Sequence, residues 1–462
     1  MNKIYLIFLL PLVGTTGIAQ IYTEGTHIEN QFPSTAAFGD FDNDGHIDFV
    51  QGVSVGDNQI YLNNGDTTFT LGSSFPSENT SDIAAVDIDN DGDLDIIRAN
   101  SDTGFNKVYL NDGAANFTEG SFLTGLDTSV IAVGDFNEDG FPDIILGSRQ
   151  IGEVERLFIN QGDGTFLFDN SIPWTTGSET SDIYIADINN DNHLDIVISK
   201  RDAPLDSRQE NEIWFGAGDG TFIKSTQIFP LIPSGSIGVG DYNGDGIVDV
   251  VFAEGGGTFG FNAVKGYLND GSNVFNSSTS LFSDSDPDIT DIAFIDVDVD
   301  QDLDLVISRE FVSFGNMSEV ILNDGSGNFN AGGEQFSSAF TRDIEVVDID
   351  QDNDLDLFFT NVNGEDSVFW INQTDPPLSV TENEVSKISI YPNPVAELLN
   401  VSLSKDQNFE FTVIDIQGRV VIADKIDSRE KQINVSHLNK GIYIISIEGE
   451  DSTTYRSKFL KK

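Results

Sequence analysis

The chain has no cysteine, four histidines, 13 prolines and 23 basic residues against 77 acidic ones. Without cysteine there is no disulfide, no thiolate metal site and no thiol for a lipid anchor, so the fold depends on packing and on ions. The formal charge of −54 is strongly self-repelling, and cations are expected as part of the structure. The same field excludes nucleic acid and anionic membrane surfaces as partners, because binding to phosphate rests on Lys and Arg. No membrane-spanning segment is expected, since no apolar run reaches the roughly 18 residues that a helix needs to cross a bilayer.

What is present points to a packed, exported protein. The 35 phenylalanines and a hydrophobic content of 39% argue against disorder, and 462 residues allow two or three domains. Lys3 precedes an apolar run from Ile4 to Val13, and small residues follow at Gly17 and Ala19. This is the layout of a secretory signal peptide over residues 1–19, cleaved after Ala19. The mature chain is then expected to be soluble and secreted or attached to the outer cell surface.

One pattern recurs seven times, starting at Asp40, Asp87, Asp135, Asp187, Asp241, Asp296 and Asp348. Spacings of 47 to 55 residues mark a repeat fold. Each copy runs from a short apolar stretch through an Asp-rich loop into a second apolar stretch, such as Leu94 to Ile97. A second signature follows, as in YLNNGDTTF (61–69), YLNDGAANF (109–117) and WFGAGDGTF (214–222), where an Asn-Gly or Asp-Gly turn sits between strand-forming residues. Each unit therefore supplies four strands and no helix, which predicts an all-β, seven-bladed β-propeller over residues 20–372. The seventh unit stops at FWINQTDPP (369–377) without its last strand, whereas IYTEGTHI (21–28) resembles a last strand that precedes the first unit. The N-terminal strand is predicted to complete the seventh blade and close the ring, leaving no long free edge.

The loops follow the form DxDxDGxxD or near it. The candidate metal ligands are Asp40, Asp42, Asp44 and Asp48; Asp87, Asp89, Asp91 and Asp95; Asp135, Asn137, Asp139 and Asp143; Asp187, Asn189, Asp191 and Asp195; Asp241, Asn243, Asp245 and Asp249; Asp296, Asp298, Asp300 and Asp304; and Asp348, Asp350, Asp352 and Asp356. Oxygens at positions 1, 3, 5 and 9, a backbone carbonyl at 7 and a turn residue at 6 suit a hard cation with flexible geometry, hence Ca²⁺, up to seven ions. The bland alternative is a set of solvated acidic turns. Position 6 is Gly45, Gly92, Gly140 and Gly246, then Asn192 and Asn353, but Gln301 in the Asp296 loop. Gln tolerates a left-handed backbone poorly, so that loop is expected to be the least regular. These are not EF-hands, because position 12 lacks the bidentate Glu. A structural metal role is expected, since no His or Cys stands in a ligand position.

At these residues the chain resembles the FG-GAP and VCBS repeats, the calcium-binding blades of integrin α-chain propellers and of many bacterial surface proteins. The resemblance covers about 350 residues and implies fold and metal. It leaves function open, because such repeats occur in adhesins, glycan-binding proteins and some polysaccharide lyases.

After residue 372 a polar, proline-containing linker is expected over 373–387, then a small C-terminal β-sandwich over 388–462. Tyr391 to Pro394, Asp415 to Arg419, Leu438 to Tyr443 and Lys458 to Lys461 resemble, in order, the type A sorting domain of the type IX secretion system. That resemblance implies the type IX machinery as partner, with translocation of a folded cargo across the outer membrane.

No catalytic constellation is recognisable. His46 and His193 occupy position 7 of the loops, His27 lies on the closing strand and His437 belongs to the C-terminal unit. Gly255, Gly257 and Gly260 satisfy GxGxxG, but no helix follows as a dinucleotide site requires. The connections opposite the Asp loops carry Trp174, Arg201, Arg208, Phe259, Phe261, Arg309, Phe311 and Phe314. Aromatic residues and Arg gathered on one rim suit a glycan or protein ligand; the same loops could instead pack over the central channel. Three functions compete: a binding or adhesion module, a polysaccharide lyase using a base such as Tyr184, and a structural surface-layer component.

Overall fold

The computed structural model describes residues 21–374 and 389–462, apart from 30–31, 103–104, 178, 202–209, 256–261, 284–288, 310–316, 331–332, 337–339, 353, 392–394, 403–408, 416–419, 427–429, 439 and 450–453. The expected signal peptide, Asn353, Arg208, Phe259, Phe261, Phe311 and Phe314 lie outside the described residues, as do most of the expected linker, Pro392 to Pro394 and Ile416 to Arg419. The chain divides into two compact units, Met1–Pro376 and Pro377–Lys462.

Among the described residues the first unit holds seven four-stranded antiparallel sheets. Sheet 1 shows the plan, with strands Pro33–Gly39, Asp48–Val53, Asp57–Asn63 and Phe69–Pro76 in chain order. The second strand of every sheet is buried along its whole length. Covered on both faces, it carries consecutive apolar residues, as Ile144 to Leu146 in Asp143–Ser148, with no polar alternation there. Sheet 7 takes three strands from Thr341–Val347, Asp356–Asn361 and Ser367–Asn372, and its fourth is Tyr22–Ile28 from the N-terminal end, as the sequence predicts. Tyr22 is fully buried there, 5.6 Å from the Phe336 ring.

The first strands of successive sheets pack against one another, and that of sheet 7 packs against that of sheet 1. Near its start each first strand shifts register, as between Thr80 and Asp82 or Thr180 and Asp182. Such a bulge turns a side chain and a backbone N–H out of the ladder. Asp82 and Asp182 use it to accept the N–H of Ile131 and of Ile237 in the next sheet, at 2.7 and 2.8 Å. Asp291 accepts that of Ile344 at 2.9 Å in the same way.

The second unit has a three-stranded sheet (Ser389–Tyr391, Leu398–Ser402, Glu430–Asn434) and a four-stranded one (Val420–Ile426, Phe409–Asp415, Gly441–Gly449, Thr454–Lys461). Leu399, Val401 and Ile433 of the first share one apolar core with Phe411, Val413, Tyr443, Ile445 and Ile447 of the second.

Candidate metal loops and central cavity

Each Asp-rich loop joins the first and second strands of a sheet, and a fixed set of hydrogen bonds shapes it. The position 1 carboxylate closes the turn: Asp40 accepts the N–H of Asp44 and of Gly45 at 3.1 and 2.9 Å. Asp87, Asp135, Asp187, Asp241 and Asp296 do the same in their loops, and Asp348 accepts from Asp352. Position 5 accepts from the N–H of position 7, as Asp44 does from His46 at 2.9 Å. Position 6 is left-handed wherever it is described, including Gln301 at φ 80°. Fixed ends and the position 1 carboxylate thus impose a conformation that Gln alone avoids.

The position 9 aspartates have a structural role besides standing as candidate ligands. Asp48 is buried, accepting the N–H of Phe41 at 3.0 Å with one oxygen and that of Asn63 at 2.8 Å with the other. Asp95, Asp143, Asp195, Asp304 and Asp356 repeat this double acceptance, and Asp249 accepts from Asn269. Burial outweighs these bonds and pushes Asp48, Asp95, Asp143 and Asp195 up to about 6. It pushes Asp249, Asp304 and Asp356 up to about 7. Position 9 therefore latches the loop to the third strand.

Carboxylates come together tightly in four loops. In Asp40, Asp42 and Asp48; Asp87, Asp89 and Asp95; Asp296, Asp298 and Asp300; and Asp348, Asp350 and Asp356, one oxygen from each residue lies within 4.8 Å of the others. Burial, then the position 5 neighbour, raises the position 3 acids Asp42, Asp89, Asp298 and Asp350. Asp89 Oδ1 and Asp298 Oδ1 are buried without a hydrogen-bond partner. Carboxylate oxygens crowded in this way suit a hard cation. In the remaining loops position 3 is Asn137, Asn189 or Asn243, whose amide oxygen accepts the N–H of position 5 at 2.9–3.0 Å.

Two sets of residues escaped the sequence reading. The first is the Asn of the second signature, read there only as part of a turn. Asn63, Asn111, Asn160, Asn269, Asn323 and Asn372 are buried. Each donates its amide to its own loop and to the preceding sheet, as Asn323 does to Leu303 O at 3.0 Å and Tyr242 O at 2.8 Å. Sheet 4 has Gly216 at this place. The signal was the recurrence of one Asn in six copies. The second set is position 4, left-handed in all seven loops: Asn43, Asn90, Glu138, Asn190, Gly244, Val299 and Gln351. Frequent Asn with one Gly was its signal.

The expected ligand rim is corrected at two residues. Trp174 is a core residue, 8% exposed and edge-on to Trp214 at 5.0 Å, so it presents no ring to a ligand. Arg309 ends a buried strand, 2% exposed, with its guanidinium on Met317 O at 3.0 Å and Glu319 Oε1 at 3.1 Å. A strand that is covered on both faces leaves no free side for its last residue. Arg201 is exposed.

Among the described residues a cavity of about 320 Å³ lies where first strands converge, lined by Tyr184, Ile237, Val239, Ile292, Phe294 and Val346 among others. Its lining side chains are apolar apart from the Tyr184 phenol. Burial, then the charge of Asp182, raises that phenol, which is the wrong direction for a general base.

Residues 40–98, 87–146, 152–198 and 241–307 match the FG-GAP-like repeat family, and residues 389–462 match the secretion system C-terminal sorting domain. Over 101 residues, 22% of this chain, the sequence is 26% identical to the ulvan lyase NLR42 of Nonlabens ulvanivorans, and the match spans 19% of that enzyme. The fold is similar to the crystal structure of BBS1N in complex with ARL6DN, with a TM-score of 0.53 at 12% identity, covering 77% of this chain and 99% of that one. PorZ, a surface component of the type IX secretion system of Porphyromonas gingivalis, aligns with a TM-score of 0.47 at 14% identity, over 94% of this chain and 59% of PorZ. The chain is a secreted or outer-surface protein that carries FG-GAP-like repeats ahead of a type IX C-terminal sorting domain.

Proposed function

We propose that residues 20–372 form a seven-bladed β-propeller held rigid by Ca²⁺ in up to seven loops, and that it acts as a binding or adhesion module for a glycan or protein ligand outside the cell. The C-terminal β-sandwich, 388–462, delivers it through the type IX machinery. The observation that carries the metal reading is the buried, unpartnered carboxylate oxygen of Asp89 and of Asp298 inside clusters of acids. Asp and Asn oxygens at positions 1, 3, 5 and 9 would hold the ion, with the position 7 carbonyl, and Asp48, Asp95 and Asp356 already stand in the acid clusters. Bound there, Ca²⁺ supplies charge neutralisation and a fixed loop geometry.

A second reading, a polysaccharide lyase, is favoured by the match to an ulvan lyase. The raised Tyr184 phenol weighs against it. A thermal melt of the full chain with and without chelator tests the metal. Two sites held at a hundred times their Kd contribute about 5 kcal/mol, so chelation is expected to lower the midpoint by roughly 7 °C. An unchanged midpoint would sink the calcium reading. A glycan array and an assay for unsaturated sugar ends on the calcium-loaded protein separate binding from lyase turnover.

A further inference from the structure

Position 4 of each loop stands between two of the proposed ligands, at positions 3 and 5, and its left-handed backbone turns its side chain away from its own loop. In four loops that side chain reaches the next loop. Gln351 Nε2 donates to Gly45 O at 2.7 Å. Asn43 Nδ2 donates to Asp93 Oδ1 at 2.7 Å and, more weakly, to Gly113 O at 3.4 Å. Asn90 Nδ2 donates to Gly140 O at 2.8 Å. Glu138 Oε1 meets His193 Nδ1 at 2.5 Å. Every acceptor or partner in the next loop belongs to position 6 or 7, the stretch that carries the position 7 carbonyl.

The series has a gap. Gly244 has no side chain and Val299 has no polar atom with which to reach on. Among the described residues Asn190 makes no such bridge. Links therefore run from the Asp348 loop through those at Asp40, Asp87 and Asp135 to the one at Asp187. The loops at Asp241 and Asp296 stand outside.

We propose that these five linked loops bind Ca²⁺ as one coupled series, with Gln351, Asn43, Asn90 and Glu138 as positioning residues, while the Asp241 and Asp296 loops bind independently. This rests on the calcium reading above. An ion that fixes positions 3 and 5 of one loop immobilises position 4 between them. That side chain then orders positions 6 and 7 of the next loop, so the second ion meets a loop already in place. Ordering that the first ligand has accomplished need not be repeated by the second, which is positive cooperativity without a change of fold.

Calorimetric titration of the metal-stripped full chain with Ca²⁺ tests the coupling. Glycine is the substitution of choice, because it keeps the left-handed backbone while removing the bridge. The wild type is expected to show a Hill slope above 1. The triple variant N43G/N90G/Q351G is expected to fall towards 1, with the same number of ions bound and the same midpoint at saturating Ca²⁺. V299G, which alters the same backbone position without breaking a link, is expected to keep the wild-type slope. Should the triple variant fail to fold, N90G alone splits the series in two and is expected to give an intermediate slope. Equal slopes in wild type and bridge variants, with ions still bound, would overturn the coupling and leave the calcium reading standing. No binding at all would overturn both.

Discussion

Acids crowd two places in the first unit, the loop rim and the converging first strands, and they are satisfied in different ways. On the inner strands the polypeptide answers Asp82 and Asp182, whereas Asp343 Oδ2 is buried without a hydrogen-bond partner. Asp82 accepts from Ile83, Thr35 and Ile131, and Asp182 from Ile183 and Ile237, so each carboxylate stitches its own strand to the next sheet. At the rim, positions 1 and 9 are likewise engaged by backbone N–H groups, but Asp89 Oδ1 and Asp298 Oδ1 are buried without a hydrogen-bond partner in loops whose acids crowd together. Identical side chains therefore have unlike needs. An acid among N–H donors is stable as the carboxylate; an acid among acids needs either a proton, which burial and then Asp291 favour at Asp343, or a cation.

This contrast can be broken experimentally, and dependence on calcium sorts the outcomes. The largest effect is expected from Asn323→Ala, which strands the buried carbonyls of Leu303 and Tyr242. The cost is about 3 kcal/mol in denaturant unfolding, equal with and without calcium, because the polypeptide alone is involved. Asp89→Asn comes next. It should weaken one calcium site about tenfold, roughly 1.4 kcal/mol, and leave the chelated protein no less stable. Asp82→Asn is the matched control and should leave calcium binding unchanged.

The smallest effect concerns pH. Burial pushes Asp82 up to about 6 and Asp182 up to about 7, whereas in the unfolded chain both titrate near 4, about the reference value. The folded protein then binds more protons than the unfolded one in between. Chelated protein should lose stability as pH rises from about 4 to about 7. Asp182→Asn should reduce that slope by its own share in melts taken across the same range, the position 9 acids supplying more of it, and an unchanged slope would mean that Asp182 does not contribute.

The repeat, the four strands of each unit and the N-terminal strand that completes sheet 7 were legible in the sequence. So was the loop pattern, because ligand spacing and turn residues are local properties. The Asn of the second signature was visible as a letter but not as a function. Its partners lie in the preceding sheet, as with Asn323 and Tyr242 O, 81 residues apart. Trp174 and Arg309 were misplaced for a related reason. An aromatic ring or an Arg in a connection looks available until the sheets that cover it are assembled.

Sequence by itself determined what depends on neighbours along the chain: the all-β units, the acidic loops and their turn residues, and the C-terminal sorting domain. Tertiary structure decided which acids are answered by N–H groups from afar, because those groups lie on the third strand for Asp48 and in the next sheet for Asp82. It also decided which loops touch, since a left-handed position 4 has a partner only where another loop stands within reach of its side chain.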